Sequence, residues 1–162
     1  MEQSYSQNFE LGARTLHYDC GKSILLCKDS KSGKNLWIKK LSDISRIDTV
    51  IEDSSRYFIA CETDDIKGYY VAIDRETGAT AWFIPGKAYF HIVYNNDLFI
   101  IFTDEKNDFY LIKADCSDGR KMWHRRVAND LCEYRFAGDR IMLTFDSGKQ
   151  ENISSLTGIT IS

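Results

Sequence analysis

An all-β fold made of four similar small antiparallel sheets is what this sequence predicts, and three observations predict it. Asp followed by Gly four residues later and Trp eight residues later occurs three times, as Asp29-Ser-Lys-Ser-Gly33-Lys-Asn-Leu-Trp37, Asp74-Arg-Glu-Thr-Gly78-Ala-Thr-Ala-Trp82 and Asp115-Cys-Ser-Asp-Gly119-Arg-Lys-Met-Trp123. The Trp-to-Trp steps are 45 and 41 residues, a period that marks an array of supersecondary units. Ahead of each Asp lie short runs of strand formers, and no stretch shows apolar residues at the i, i+3, i+4, i+7 spacing of a helix. Four antiparallel strands in about forty residues is the size of a propeller blade, so the expected fold is a four-bladed β-propeller of four-stranded antiparallel blades.

Each element has a local reason. Leading strands are expected near residues 6–10, 47–52, 89–94 and 131–136, second strands at 16–18, 57–61, 98–102 and 141–145, and third strands at 24–27, 69–73 and 109–114. Several of these runs lack a polar face, as strands covered on both sides do. In the turn that follows, the Asp side chain accepts from a backbone N–H two residues on, and Gly takes positive φ without steric cost. Trp37, Trp82 and Trp123 then open the fourth strands. A decayed fourth copy reads Ser154-Ser-Leu-Thr-Gly158, with its Trp position on Ser162. The blades are expected at about 1–42, 43–86, 87–127 and 128–162, all within one domain. Pro85 is expected between two blades, where it breaks no ladder.

The strand-Asp-x-x-Thr-Gly-x-x-x-Trp pattern, best met by Val71-Ala-Ile-Asp74-Arg-Glu-Thr77-Gly78-Ala-Thr-Ala-Trp82, resembles the tryptophan-docking blade of PQQ-like (quinoprotein-type) β-propellers. The resemblance covers three blades clearly and the fourth weakly. It implies that Trp37, Trp82 and Trp123 dock blade on blade, with Gly33, Gly78 and Gly119 in the turns. The family's dehydrogenases have twice as many blades, an exported location, a calcium site and a pair of adjacent cysteines against the quinone. This chain has no Cys-Cys pair and begins without a basic segment and apolar run, so the resemblance implies a non-enzymatic interaction scaffold with no cofactor. Closure as a monomer is expected, the alternative being two chains joined into one eight-bladed ring.

Bulk properties narrow the function. At 162 residues, 43% apolar and 28% charged, the composition is that of a globular chain, one able to bury roughly two-thirds of its unfolded surface. A net charge of −3 argues against a nucleic-acid surface, which requires a basic face. No run approaches a membrane span, and five cysteines without regular spacing read as reduced thiols; the expected location is cytoplasmic. His17, Cys20 and Cys27 are the nearest approach to a metal set, but their spacing does not match a zinc site, and no metal is expected. No Ser or Cys has a base and an orienting acid in a recognisable motif, so no catalytic residue is assigned.

Two surfaces remain as candidates. The loops between second and third strands carry Asp19, Glu62, Asp64, Asp65, Asp104, Glu105, Asp108, Asp146 and Glu151 against Lys22, Lys67, Lys106 and Lys149, nine acids to four bases. In a propeller these loops share a face with the connectors that hold Asp43 and Asp130. Such a face either carries solvated loop carboxylates or steers a basic protein partner. The partner-binding residues would be Asp43, Asp64, Asp65, Asp104, Glu105, Asp108 and Asp130, and the concrete expectation is a bacterial immunity protein that blocks a cationic toxin. The alternative is a small-ligand or glycan site in the central channel built from Tyr89, His91, Glu133 and Tyr134. Lys39-Lys40 and Arg125-Arg126, at matching places after Trp37 and Trp123, read as charges that block edge-to-edge pairing.

Overall fold

The computed structural model describes residues 5–64 and 66–161. The described chain is all-β, with fifteen strands in four antiparallel sheets. It divides into two compact units, residues 1–88 and 89–162.

Unit 1 holds two four-stranded meanders. The first runs β1 (Ser6–Leu11), β2 (Arg14–Asp19), β3 (Ile24–Asp29), β4 (Asn35–Lys40), and the second β5 (Arg46–Glu52), β6 (Arg56–Glu62), β7 (Gly68–Asp74), β8 (Thr80–Pro85). The two sheets share one core, in which Leu16, Tyr18, Leu25 and Cys27 of the first meet Ile47, Tyr57, Ile59 and Ile73 of the second. β6 reads Tyr-Phe-Ile-Ala-Cys, all buried, because both of its faces are covered; this is why the strand lacks alternation. Pro85 is the last residue of β8, opposite Tyr69, rather than between sheets. Its missing N–H lies at the end of a sheet-edge strand, where a proline is tolerated.

Unit 2 holds all but the first two residues of β9 (Lys87–Tyr94), then β10 (Asp97–Thr103), β11 (Phe109–Asp115), β12 (Lys121–Arg126), followed by β13 (Leu131–Ala137), β14 (Arg140–Phe145) and β15 (Gln150–Ser154). Phe99, Ile101 and Leu111 pack with Ile141, Leu143 and Ile153 in its core. Four strands were expected in the last sheet, and three form. After the Ser154–Gly158 turn the described chain makes one isolated bridge, Ile153 to Thr160.

The turns follow the expected chemistry. Asp74 Oδ1 accepts from the Glu76 and Thr77 N–H groups at 2.9 Å each and from Thr77 Oγ1 at 3.1 Å, while Gly78, at φ 75°, donates back to the Asp74 carbonyl. Asp29 and Asp115 do the same with Ser32 and Ser117. These donors hold all three carboxyls below the usual carboxylate range, because the bonds favour the charged form.

What the sequence could not show is what sits on the glycine. The Trp37 indole lies flat on Gly78, so close that a Cβ there would stand 2.6 Å from the ring, and its Nε1–H donates to the Arg75 carbonyl at 2.8 Å. Trp123 repeats the arrangement on Gly158, again at 2.6 Å, with its N–H on Ser155 O at 3.0 Å. Trp37 and Trp123 therefore each read the turn of the following repeat. Trp82 is buried against Phe58 and Tyr70 of its own sheet.

Candidate functional site: an aromatic pocket in unit 2

The acidic loops are largely occupied with their own structure. In unit 1, Glu62 is ion-paired with Arg46 at 3.2 Å and Lys87 at 3.6 Å. Asp64 turns its carboxylate back onto the Ile66 and Lys67 N–H groups, and Asp43 is exposed at φ 62° in the β4–β5 connector. Asp65 lies outside the described residues. In unit 2, Asp104 accepts from Lys106 and Asp108 N–H, Asp108 pairs with Arg126 at 2.8 Å, and Asp130 accepts from Ser147 N–H at 3.2 Å. Glu151 stands between Arg125 at 3.1 Å and Lys149 at 2.9 Å, which together hold it below its usual range. Of the expected partner-binding acids in unit 2, Glu105 alone is both exposed and unbonded among the described residues.

Three of the four channel residues converge. Tyr89 at the start of β9 and Glu133 and Tyr134 of β13 line one cavity of about 360 Å³, together with Phe90, Phe109, Asn129 and Cys132, a volume within the range of small-ligand pockets. Phe90 and Tyr134 stack face to face with centroids 3.8 Å apart and planes within 6°, joining the two sheets of the unit. Tyr89 and Phe109 form a second, tilted pair at 5.1 Å. Tyr89 and Tyr134 remain 44% and 39% exposed. His91, expected beside them, is buried and does not line the cavity; Phe90 takes that place.

A smaller polar depression formed by Asn107, Asp108, Arg126 and Ala128 adjoins the pocket and shares Phe109 and Asn129 with it. Sequence reading missed Phe90, Phe109 and Asn129, although the consecutive aromatics Tyr89-Phe90 at the head of a leading strand were a usable signal. The pocket therefore offers π-faces, a carboxylate, an amide and the Cys132 thiol, which donates to the Thr144 carbonyl at 3.4 Å. Among the described residues no three His, Cys, Asp or Glu gather as a metal site, and no helix is long and apolar enough to cross a membrane.

No protein-family model matches the sequence, and no curated protein does. Solved structures do match. The chain is similar to BamB from Moraxella catarrhalis, with TM-score 0.67 and 15% identity over 93% of this chain and 49% of that one. It is similar to a europium-containing methanol dehydrogenase, with TM-score 0.73 and 10% identity over 96% and 40%, and to the quinohemoprotein alcohol dehydrogenase ADHIIG from Pseudomonas putida HK5, with TM-score 0.68 and 16% identity over 96% and 33%. The fold is of the PQQ-like β-propeller repeat type. The chain spans about a third to a half of the length of these three proteins. At such identities the likeness is one of fold, and it includes BamB as well as two dehydrogenases, so fold alone selects no activity.

Proposed function

We propose that this protein is a non-catalytic binding module that captures a basic segment of a protein partner, with one Lys or Arg side chain of that partner entering the aromatic pocket of unit 2. The observation that carries the reading is the cluster of Tyr89, Phe109, Phe90 and Tyr134 around a cavity whose charged lining group is Glu133. A cation over an aromatic face gains about 0.5–2 kcal/mol, and a carboxylate on the same wall adds a charge-assisted bond. The chain's net charge of −3 favours encounter with such a partner. A cationic toxin held by an immunity protein is the concrete partner class we propose.

The test is a heteronuclear NMR titration with an Arg-rich nonapeptide and an Asp-rich control. Shifts should centre on Tyr89, Glu133 and Tyr134 for the basic peptide only, and Tyr134→Ala or Glu133→Gln should weaken binding by about tenfold, one charge-assisted contact. Equal binding of both peptides, or indifference to both substitutions, would sink the reading. A second reading, glycan binding at the same two tyrosines, is favoured by their partial exposure beside a cavity. Neutral monosaccharides shifting these residues while the basic peptide does not would select it.

A further inference from the structure

Lys39 and Arg125 hold the same place in two repeats, two residues after a docking tryptophan. Opposite each lies the third strand of the next sheet, and there the repeats diverge. Val71 stands three residues before Asp74, and Glu151 stands three residues before Ser154. Arg125 accordingly meets a carboxylate at 3.1 Å. Lys39 meets an apolar wall: a cleft of about 470 Å³ in unit 1, lined by Lys39 and Lys40 of β4, Tyr69 and Val71 of β7, and Phe83 and Pro85 of β8. Val71 and Phe83 face each other directly across the β7–β8 ladder, and Phe83 is 63% exposed.

Lys39 is half-buried, and burial pushes its pKa down. Neither Lys39 nor Lys40 forms an ion pair with any described residue, Asp43 on the following connector included. A partly desolvated cation is thus held beside apolar surface without the counter-charge that the sister repeat supplies, an arrangement that is unfavourable unless something pairs with it.

We propose that this cleft binds a small amphipathic anion, a carboxylate carried on an aromatic or branched apolar body, with Lys39 receiving from the ligand the charge that Arg125 receives from Glu151. The carboxylate sits at Lys39, with Lys40 beside it. The apolar body lies against Val71, Phe83 and Pro85. This site shares no lining residue with the pocket of unit 2, so the two stand or fall separately.

The probes are 1-naphthoate, its uncharged counterpart 1-naphthamide, and acetate, followed by heteronuclear NMR. Naphthoate should shift Lys39, Tyr69, Val71 and Phe83, and bind at least about tenfold more tightly than either control, the margin expected when charge and apolar contact are both required. Lys39→Met, which keeps the stem and removes the charge, should lose that margin with an unchanged melting temperature. Val71→Glu, made alone and with Lys39→Arg, rebuilds the Arg125–Glu151 arrangement and should abolish naphthoate binding by supplying an internal partner. Naphthamide binding as well as naphthoate, full affinity in Lys39→Met, or no shift from millimolar naphthoate would each overturn the proposal.

Discussion

Unit 1 and unit 2 each seat one tryptophan on the glycine of the following turn at the same 2.6 Å approach, yet they support that seat differently. Beneath Trp37 the turn is closed by Asp74 with three bonds, and β8 completes a four-stranded sheet. Beneath Trp123 the turn is closed by Ser154, whose hydroxyl accepts from Leu156 N–H at 3.2 Å, and the sheet has three strands among the described residues. Trp37 is 8% exposed, whereas Trp123 is only half-buried. The seat thus depends on the glycine and the turn carbonyl, and the fourth strand adds enclosure rather than position.

The largest effect that tests this comparison comes from the tryptophans. Trp37→Ala should cost about 3–5 kcal/mol, the range for emptying a buried aromatic site, which is a large part of a ~5–15 kcal/mol margin. Trp123→Ala should cost less, because less of its ring is enclosed. Denaturant midpoints would measure both, and equal losses would show that the fourth strand contributes nothing to the seat.

Next come the glycines. Gly78→Ala and Gly158→Ala place a methyl group against an indole ring and should each cost about 1–3 kcal/mol, alike in the two units because the approach is alike. Gly33, at φ 71°, has nothing within 4 Å of a built Cβ; Gly33→Ala should therefore show only the left-handed backbone penalty, about 1 kcal/mol. A Gly33 loss as large as the Gly78 loss would mean that φ, and not ring contact, governs these positions.

Acid should separate the units further. The carboxyls of Asp29, Asp74 and Asp115 lie below the usual range in the fold. Their contribution is complete above the unfolded value of about 3.9 and is lost as pH falls through the lower folded values. Unit 1 has two such turns, whereas the last turn of unit 2 uses a serine that does not titrate. Amide exchange compared at pH 5 and pH 3 should show the 29–33 and 74–78 turns opening with acid and the 154–158 turn unaffected. Asp74→Asn should remove the response locally.

The smallest effect sharpens the comparison most. Ser154→Asp restores the carboxylate to the weaker turn and should stabilise by about 0.5–1 kcal/mol, the scale of one added hydrogen bond. A rise of a few degrees in melting temperature is expected at pH 7 and none at pH 3.

The repeat was legible in the sequence because its determinants are local. Asp74, Thr77 and Gly78 close a turn through bonds spanning at most four residues, and the strand runs on either side need only their own composition to be recognised. Even the weak fourth copy could be located, although its shortened sheet could not. The sites were less legible because they depend on what the register places opposite. The loop acids looked like a free surface, but Asp64 and Asp104 are turned onto their own backbone and Asp108 onto Arg126. Tyr89, Glu133 and Tyr134 were identified without Phe90 and Phe109, which complete the pocket.

By itself, then, the sequence determined the period and the turns, since backbone hydrogen bonding within a few residues decides these, and it put Trp37, Trp82 and Trp123 in the outer strands, where each stands third rather than first. Only the tertiary structure decided that Trp37 rests on Gly78 rather than merely near it, that Arg125 is neutralised while Lys39 is not, and that the tyrosines of β9 and β13 share one cavity. Each of those facts depends on which side chain stands across from another on a separate strand or sheet, and charge compensation and cavity shape are properties of such pairs rather than of any one residue.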